Sequence, residues 1–162
     1  MLIAVIADTH LPRGNRRLPE RCFELLAGSE LVLHAGDVMT AEALAEIESA
    51  GTPVAAVHGN VDSSELRRLL PAERVVEAAG ARIGLVHDAG PAARRLERLR
   101  RRFPDADAVV FGHSHLPLHE TREGFQIFNP GSPVERRRAP GHTMGLARAE
   151  NGRVEFAQIA LD

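Results

Sequence analysis

Residues 2–10 read LIAVIADTH, a continuous apolar run that ends in three polar residues, and this stretch decides the fold class. The run 2–7 is partly β-branched and too short for a stable helix, so it predicts a buried β-strand. Similar apolar runs at 31–33 and 54–57 predict further strands, and amphipathic segments at 18–27, 41–50 and 64–70 predict helices. Because parallel strands need crossover helices, this alternation predicts an α/β fold.

The chain from residue 75 onward has a different pattern. Segments 75–79 and 82–87 flank a Gly-containing turn and predict a hairpin, and 91–102 predicts a helix with Pro91 in its first turn. Segment 108–111 predicts a strand, and 116–162 a β-meander with turns at 123–124, 140–141 and 151–152. Mixed strand directions favour two packed sheets with helices outside. No repeat or long linker divides the chain, so we expect one domain over 1–162.

Composition excludes several classes of protein. The chain has 162 residues, a formal net charge of −2 and one cysteine, Cys22. A chain of this length buries roughly 70% of its unfolded surface, which is typical of one soluble globular domain. A single cysteine forms no internal disulfide and no Cys-based metal site, so we expect a reducing compartment, the cytoplasm.

Membrane and nucleic-acid partners are not favoured. No apolar run approaches the ~20 residues that span a bilayer, and the N-terminus shows no basic leader or cleavage site. The near-neutral chain, whose 20 cationic residues are all Arg, lacks the basic surplus of a general nucleic-acid binder. The arginines around 94–102 are typical of a solvated helix face.

Polar clusters follow five of the predicted strands. They are Asp8-Thr9-His10, His34-Ala35-Gly36-Asp37, His58-Gly59-Asn60-Val61-Asp62, His87-Asp88 and Gly112-His113-Ser114-His115. The carboxyl ends of strands form the ligand-binding edge of an open α/β sheet. The i, i+2 spacing of Asp8 with His10, and of His113 with His115, places each pair on one side of an extended segment. Convergence at this edge provides seven ligand candidates: Asp8, His10, Asp37, Asn60, His87, His113 and His115.

Seven ligands are too many for one tetrahedral zinc ion, but they suit two metals that share a bridging carboxylate. Imidazole, carboxylate and amide donors without thiolate favour Mn, Fe, Ni or Zn over Ca or Cu(I). Two such ions lower the pKa of a bridging water and clamp the oxygens of a phosphoryl group. His34 and His58 are expected to support the neighbouring ligands.

Each cluster alone has an ordinary alternative as a turn, a helix cap or a partly buried histidine. The H-x-H pair at 113–115 also begins amidohydrolase barrels, but such a barrel needs ~250 residues and carries the pair on its first strand. The five clusters together, each at a strand end, favour the metal site.

In this order, D-x-H (8–10), G-D (36–37), G-N-x-D (59–62), His87 and G-H-x-H (112–115) resemble the calcineurin-like metallophosphoesterases. The short length and the segment Asn129-Pro130-Gly131-Ser132 resemble their small bacterial and archaeal phosphodiesterase subgroup. The resemblance implies a four-layer α/β/β/α sandwich with two mixed sheets. It also implies that one metal is bound by Asp8, His10 and His115, the other by Asn60, His87 and His113, and that Asp37 bridges them.

We therefore expect a binuclear metal-dependent phosphodiesterase in which a hydroxide that bridges the metals attacks phosphorus. Manganese is the favoured ion, with Fe, Ni and Zn as alternatives. Asp37 is expected to hold the metals together. Asn60, a metal ligand, is also expected to contact a phosphoryl oxygen. A phosphomonoesterase, a nuclease and a protein-interaction scaffold stay open as alternatives. The family includes a eukaryotic trafficking scaffold with a degraded site, whereas no ligand position is degraded here.

Two departures from relatives bear on specificity. Val61 stands where many monoester-cleaving relatives carry a His that protonates the leaving group. Cleavage is therefore expected to depend on good leaving groups or on another donor, His10 or Asp62 through water. Asp88 stands where relatives usually have Gly, and if it points to the site it disfavours dianionic monoesters.

Candidate substrate contacts are Arg13, Ser132 and the cluster Arg136, Arg137 and Arg138, which could reach an anionic substrate. The expected substrate is a small-molecule phosphodiester, and a homodimer is a plausible assembly.

Overall fold

The computed structural model describes residues 1–162, which form ten strands and four helices. The strands are β1 Leu2–Ile6, β2 Leu31–His34, β3 Val54–Ala56, β4 Glu73–Ala78, β5 Ala81–Val86, β6 Ala108–Val110, β7 Leu118–Arg122, β8 Phe125–Asn129, β9 Thr143–Glu150 and β10 Arg153–Ala160. The helices are α1 Glu20–Ala27, α2 Ala41–Glu48, α3 Ser64–Leu69 and α4 Arg95–Arg102.

The strands form two five-stranded sheets, with the order β10-β9-β1-β2-β3 in sheet one and β4-β5-β6-β8-β7 in sheet two. In sheet one, β1, β2 and β3 are parallel, and β9 and β10 are antiparallel additions. In sheet two, β5, β6 and β8 are parallel, and β4 and β7 form antiparallel edges. Both sheets are mixed, and the predicted α/β fold with two mixed sheets is confirmed.

Strand β1 shows why its sequence is apolar at every position. Ile3 and Val5 pack between the sheets, in a core that also contains residues of β5 and β6 from sheet two. Ala4 and Ile6 point the other way, into a second core that includes residues of α1, α2 and α3. A strand buried on both faces has no polar alternation. A third core packs α4 against the outer face of sheet two.

Cys22 lies in the core beneath α1, and burial raises the pKa of its thiol to about 12. It is therefore a packing residue and not a nucleophile. The core between the sheets is continuous, which favours the single domain predicted over 1–162; that extent stays a prediction. No helix combines the length and the apolar character needed to cross a bilayer.

Two sequence predictions about local structure are wrong. The helix predicted from residue 91 begins at Arg95, because Arg94 has a φ of 54°, which is not compatible with a right-handed helix. Residues 116–162 do not form one meander: the β7–β8 hairpin belongs to sheet two and the β9–β10 hairpin to sheet one. The segment around Pro140 lies in the crossing between the sheets. Strand periodicity does not specify which sheet a hairpin joins.

Candidate metal centre

Two groups of potential metal ligands lie where the polar loops of both sheets meet. Cluster one contains Asp8, His10 and His115, and cluster two contains Asp37, His87 and His113. Within each cluster the ligand atoms all lie within 4.8 Å of one another. The loops that carry them follow β1, β2, β5 and β6, so both sheets contribute.

Asn60 completes cluster two. Its Oδ1 lies 3.0 Å from His87 Nε2 and 3.0 Å from His113 Nδ1. Asn60 and His113 are exposed, whereas the other ligand candidates are buried. The structure thus brings all seven predicted ligands together, with access from solvent on the side of cluster two.

Asp37 faces both clusters with a single oxygen. Its Oδ2 lies 3.5 Å from His10 Nε2 and 3.2 Å from His87 Nε2. Its Oδ1 accepts a hydrogen bond from the Val61 N–H at 3.0 Å, which fixes the orientation of the carboxylate. One carboxylate oxygen between two ligand groups is the arrangement that a shared, bridging ligand requires.

The backbone at the ligands is not extended. Positive φ values occur at Asp8 (54°), His10 (46°), Asp37 (59°), His113 (69°) and His115 (58°). The prediction that extended i, i+2 spacing keeps His113 and His115 on one side is therefore wrong, since His113 joins cluster two and His115 joins cluster one. Non-glycine residues in this conformation carry strain, which concentrates at functional sites.

Backbone carbonyls select the ligand nitrogen of two histidines. His87 Nδ1 lies 2.8 Å from the Ala35 carbonyl, and His115 Nδ1 lies 2.5 Å from the Glu135 carbonyl. Because a carbonyl only accepts, each Nδ1 carries the proton and donates it. This leaves both Nε2 atoms free to bind a metal, with the ring orientation already set.

Several atoms of cluster one are buried without a hydrogen-bond partner. They include Asp8 Oδ2, His10 Nε2 and His115 Nε2. Leaving one such group unsatisfied costs about 1–3 kcal/mol, so the convergence of three is unfavourable unless a ligand binds them. A divalent cation with a preference for nitrogen and oxygen donors fits this set.

Electrostatics keeps the shared carboxylate charged. Burial alone would raise the pKa of Asp37, but the hydrogen bond and charge of His87, the Val61 N–H and His10 together lower the pKa to about 2. Burial is the largest single influence and lowers the pKa of His87, but the hydrogen bond to the Asp37 carboxylate, the charges of Asp8 and Asp37 and the hydrogen bond to the Ala35 carbonyl together raise this pKa above its ordinary value. Burial lowers the pKa of His115, which keeps that imidazole neutral and able to bind a metal.

Two glycines allow the loops to approach this closely. A Cβ on Gly59 would overlap the Asp37 carboxylate, and a Cβ on Gly36 would lie 2.7 Å from His87 Nδ1. Gly36 also has a φ of 91°, which side chains rarely tolerate. The G-D and G-N pairs in the sequence are therefore packing requirements of the centre.

The sequence of residues 1–152 matches the family model of the calcineurin-like phosphoesterase superfamily domain. The chain belongs to this superfamily. The family resemblance inferred from the sequence is confirmed, and membership supports a phosphoesterase hydrolase that uses divalent metals.

Individual proteins agree with this membership. A protein of Methanothermobacter thermautotrophicus named "Probable metallophosphoesterase" is 36% identical over 138 residues, which is 83% of this chain and 78% of that protein. The structure of vacuolar protein sorting 29 from Cryptosporidium parvum is similar with a TM-score of 0.78 and 25% identity, over 98% of this chain and 96% of that chain. A solution NMR structure from Thermotoga maritima is similar with a TM-score of 0.76 and 26% identity, over 98% of both chains.

In this phosphoesterase, Asp62 holds loops together. Its Oδ1 accepts from the Met39 N–H at 2.6 Å, and its Oδ2 accepts from the Gly59 N–H at 2.6 Å. Both oxygens are thus occupied by backbone donors, and the predicted role as a proton donor through water does not fit. Asp62 instead connects the loop of Asp37 with the loop of Asn60. Arg67, which the sequence analysis missed, donates to the carbonyls of Asp62 and Asn60.

Ser132 is also structural. Its hydroxyl donates to the Asp8 carbonyl at 2.7 Å and accepts from the Glu135 N–H at 2.9 Å, and the residue is buried. The prediction that Ser132 contacts substrate is therefore corrected, because its hydroxyl is already used on both sides.

The predicted cationic contacts lie at the surface. Arg13 is exposed, and its side chain makes no hydrogen bond or ion pair, so it stays a candidate for substrate binding. Arg136, Arg137 and Arg138 are exposed. Arg136 donates to the Pro140 carbonyl at 3.2 Å, and Arg137 Nη2 lies 3.9 Å from Glu135 Oε2.

Asp88 is exposed beside cluster two. Its Oδ1 accepts from the Gly90 N–H at 2.7 Å, which orders the turn after β5. It lines a cavity of about 270 Å³ together with His58, Asn60, His87 and Arg67. Asp88 thus lines the same cavity as Asn60 and His87 of cluster two.

His34 connects two ligand loops from behind. Its Nδ1 accepts from the Gly36 N–H at 3.2 Å, and its Nε2 lies 3.0 Å from the Thr9 hydroxyl oxygen. The ring is fully buried. Burial lowers the pKa of His34 to about 4 and outweighs the opposing charges of Asp62, Asp8 and Asp37. His34 is therefore neutral in the folded protein at neutral pH.

We expect His34 to make the metal-free fold sensitive to acid. Its pKa is lower in the folded chain than the value of 6.5 in the unfolded chain, so the unfolded state takes up the proton first as pH falls. The stability contributed by neutral His34 is fully present above pH 6.5 and is lost progressively towards pH 4. The loss amounts to about 3 kcal/mol.

Urea unfolding in EDTA, followed from pH 7 to pH 4 for wild type and His34→Gln, measures this contribution. The difference in unfolding free energy between the two proteins should shrink by about that amount. The exposed His119→Gln is the control and should follow the wild-type curve. A pH-independent difference for His34→Gln would show that His34 is not buried in its neutral form.

Proposed function

We propose that this protein is a phosphodiesterase that hydrolyses small-molecule phosphodiesters with two divalent metal ions. One ion would be held by Asp8, His10 and His115, and the other by Asn60, His87 and His113. Asp37 would contact both ions. One observation carries the proposal: Asp37 Oδ2 lies 3.5 Å from His10 Nε2 and 3.2 Å from His87 Nε2. Manganese is the favoured ion, and Fe, Ni and Zn satisfy the same donor set.

When bound, two such ions supply a water molecule of lowered pKa as the nucleophile and neutralise charge on the phosphoryl oxygens. The protein orients the substrate. Asn60 presents Oδ1 to His87 and His113, and its amide nitrogen makes no hydrogen bond within the chain. That nitrogen is exposed and able to donate to a phosphoryl oxygen. Arg13 lies exposed after His10 and provides a positive charge for the same anion.

The loop 60–62 provides no general acid to protonate the leaving group. Val61 has no titratable group, and both oxygens of Asp62 accept backbone hydrogen bonds. No side chain of the loop 60–62 can therefore donate a proton to the departing alkoxide. We propose that the protein favours diesters whose leaving group is a stabilised anion, since these need little help from a general acid.

The charge at cluster two favours diesters over monoesters. A diester phosphate carries one negative charge and a monoester carries up to two. Asp88 adds a carboxylate to the cavity beside Asn60 and His87. The repulsion between the Asp88 carboxylate and the second negative charge of a monoester, at about 4 Å in water, costs about 1 kcal/mol. This energy corresponds to roughly a fivefold difference in rate.

Removal of the Asp88 charge should raise monoester hydrolysis relative to diester hydrolysis by about fivefold. Asp88→Asn keeps an oxygen for the Gly90 N–H and removes only the charge, and Asp88→Gly tests the residue that relatives usually carry. The measurement is the ratio of kcat/KM for p-nitrophenyl phosphate to that for bis(p-nitrophenyl) phosphate. Asp105→Asn, at an exposed turn before β6, is the control. An unchanged ratio in both Asp88 variants would remove Asp88 from specificity.

The arginine-rich helix α4 does not add a surface for nucleic acid. Its side chains are largely used within the protein: Arg102 pairs with Glu73 at 2.6 Å, Arg100 with Glu123 at 2.9 Å, and Arg98 donates to the Ala89 carbonyl. Neutralised cations contribute little to polyanion binding. We therefore favour a small-molecule substrate. A cytoplasmic location and a homodimer stay predictions.

A scaffold is the second candidate function, because the vacuolar protein sorting 29 structure shares this fold over nearly its whole length. We favour the enzyme because the chain belongs to the calcineurin-like phosphoesterase superfamily and keeps all seven candidate ligands together. Incubation of the Mn²⁺-loaded chain with phosphodiesters and phosphomonoesters tests the proposal. We expect hydrolysis of bis(p-nitrophenyl) phosphate, and no hydrolysis of any diester would refute it.

A further inference from the structure

Three buried histidines of the two clusters differ in what supports their second ring nitrogen. His87 Nδ1 donates to the Ala35 carbonyl, and His115 Nδ1 donates to the Glu135 carbonyl. His10 Nδ1 is buried and has no hydrogen-bond partner. Since metal-ligating histidines almost always donate this second N–H, His10 needs an acceptor.

The acceptor that faces His10 is the side chain of Glu135. Glu135 Oε2 lies 3.8 Å from His10 Nδ1, and this oxygen is likewise buried without a hydrogen-bond partner. A charge-assisted hydrogen bond between these atoms needs an approach of about 1 Å. The two unsatisfied atoms thus complement each other.

Glu135 is held in this position by its own contacts. Its N–H donates to the Ser132 hydroxyl, which in turn donates to the carbonyl of the ligand Asp8. Arg16 Nη2 lies 3.4 Å from Glu135 Oε1 and Arg137 Nη2 lies 3.9 Å from Oε2. Two guanidinium groups therefore stabilise a carboxylate that is only 18% exposed.

We infer that Glu135 is the positioning residue of cluster one, orienting His115 through its carbonyl and His10 through its carboxylate. The inference rests on the metal centre of the proposed function. An ionised acceptor on Nδ1–H fixes His10 with Nε2 towards the metal and raises the basicity of that nitrogen. Glu135 lies outside both ligand clusters and faces His10 and His115, so it is assigned a role that acts through these two histidines.

Metal affinity tests this inference without reference to hydrolysis. In calorimetric titrations with Mn²⁺, Glu135→Ala should weaken one of the two sites by about 10–100-fold and leave the other within about twofold of wild type. Glu135→Gln keeps the size and one acceptor oxygen but loses the charge, so the same site should weaken by less. Glu123→Ala removes a comparable Arg–Glu pair far from the clusters and should bind both ions like wild type.

A spectroscopic signature separates positioning from a general loss of structure. In Zn²⁺-loaded protein labelled with ¹⁵N-histidine, the His10 Nδ1–H should give an exchange-protected signal that Glu135→Ala loses. The His115 Nδ1–H should stay protected in every variant, because its acceptor is a backbone carbonyl. If Glu135→Ala does not fold, the Mn²⁺ affinity of the two sites in Glu135→Gln provides the test, because one site should be weaker than in the wild type.

If the Glu135 variants bind Mn²⁺ at both sites with wild-type affinity, or if both sites are weakened equally, the inference is overturned. Chains that bind two ions with the expected pattern but hydrolyse no phosphodiester would refute the proposed function and leave the role of Glu135 intact.

Discussion

Asp37→Asn is expected to lower the rate of phosphodiester hydrolysis by about a thousandfold. Asp37 is the one residue whose single oxygen faces both ligand clusters, at 3.5 Å from His10 Nε2 and 3.2 Å from His87 Nε2. The substitution removes the negative charge that two cations would share. Metal activation of a water and of the phosphoryl group is worth several kcal/mol, and 1.36 kcal/mol corresponds to each factor of ten.

The variant is well suited to a clean measurement. Asparagine has the same size and keeps an Oδ1 that can accept from the Val61 N–H. The fold should therefore be retained, which circular dichroism checks. The assay is kcat/KM for bis(p-nitrophenyl) phosphate at saturating Mn²⁺, with Asp105→Asn as control. A scaffold would keep its partner binding in Asp37→Asn, and a variant of wild-type activity would eliminate the shared carboxylate from the mechanism.

Metal removal is expected to lower the free energy of unfolding by about 5 kcal/mol. Each ion present at a hundredfold excess over its dissociation constant stabilises the folded state by about 2.7 kcal/mol, and two sites double the effect. The physical reason is that Asp8 Oδ2, His10 Nε2 and His115 Nε2 are buried without partners, and that Asp37 is a buried anion. For a chain of this size the change corresponds to roughly 10–20 °C in Tm.

Thermal unfolding with EDTA and with saturating Mn²⁺ measures this difference. His115→Ala should lose about half of the metal-dependent shift, because it removes one ligand of cluster one only. His119→Ala, at an exposed position outside both clusters, should keep the full shift. Equal Tm values with and without Mn²⁺ in the wild type would show that the clusters of the folded protein do not bind ions.

The α/β fold and the ligand set could be predicted because both depend on local sequence. Strands β1, β2, β3, β5 and β6 are apolar over most of their length, and the polar residues begin where each strand ends. A chain that buries both faces of a strand places its polar groups at the strand ends. The seven ligand candidates can therefore be identified from the sequence alone.

The partition of ligands between clusters depends on backbone conformation. His113 and His115 are two residues apart, but positive φ values at both turn them to different clusters. Non-glycine residues rarely adopt this conformation, so strand periodicity does not predict it, and only the resemblance of the motifs to the family implied the partition. The extended segment assumed for these residues would have kept them together.

The roles of Asp62, Ser132 and Glu135 depend on contacts between distant loops. Asp62 bonds the N–H of Met39, and Ser132 bonds the carbonyl of Asp8 across 124 residues of sequence. A carboxylate or hydroxyl near a ligand motif can equally contact substrate or support a loop. Only the positions of its partners decide between these roles.

Metal content per chain tests the central claim most directly. The purified protein, loaded with Mn²⁺ and freed of excess ions by gel filtration, can be analysed by inductively coupled plasma mass spectrometry. A centre in which Asp37 is shared by two clusters predicts two ions per wild-type chain and fewer in Asp37→Asn. Chains that retain no ion, or that retain one ion irrespective of Asp37, would contradict the two-metal account.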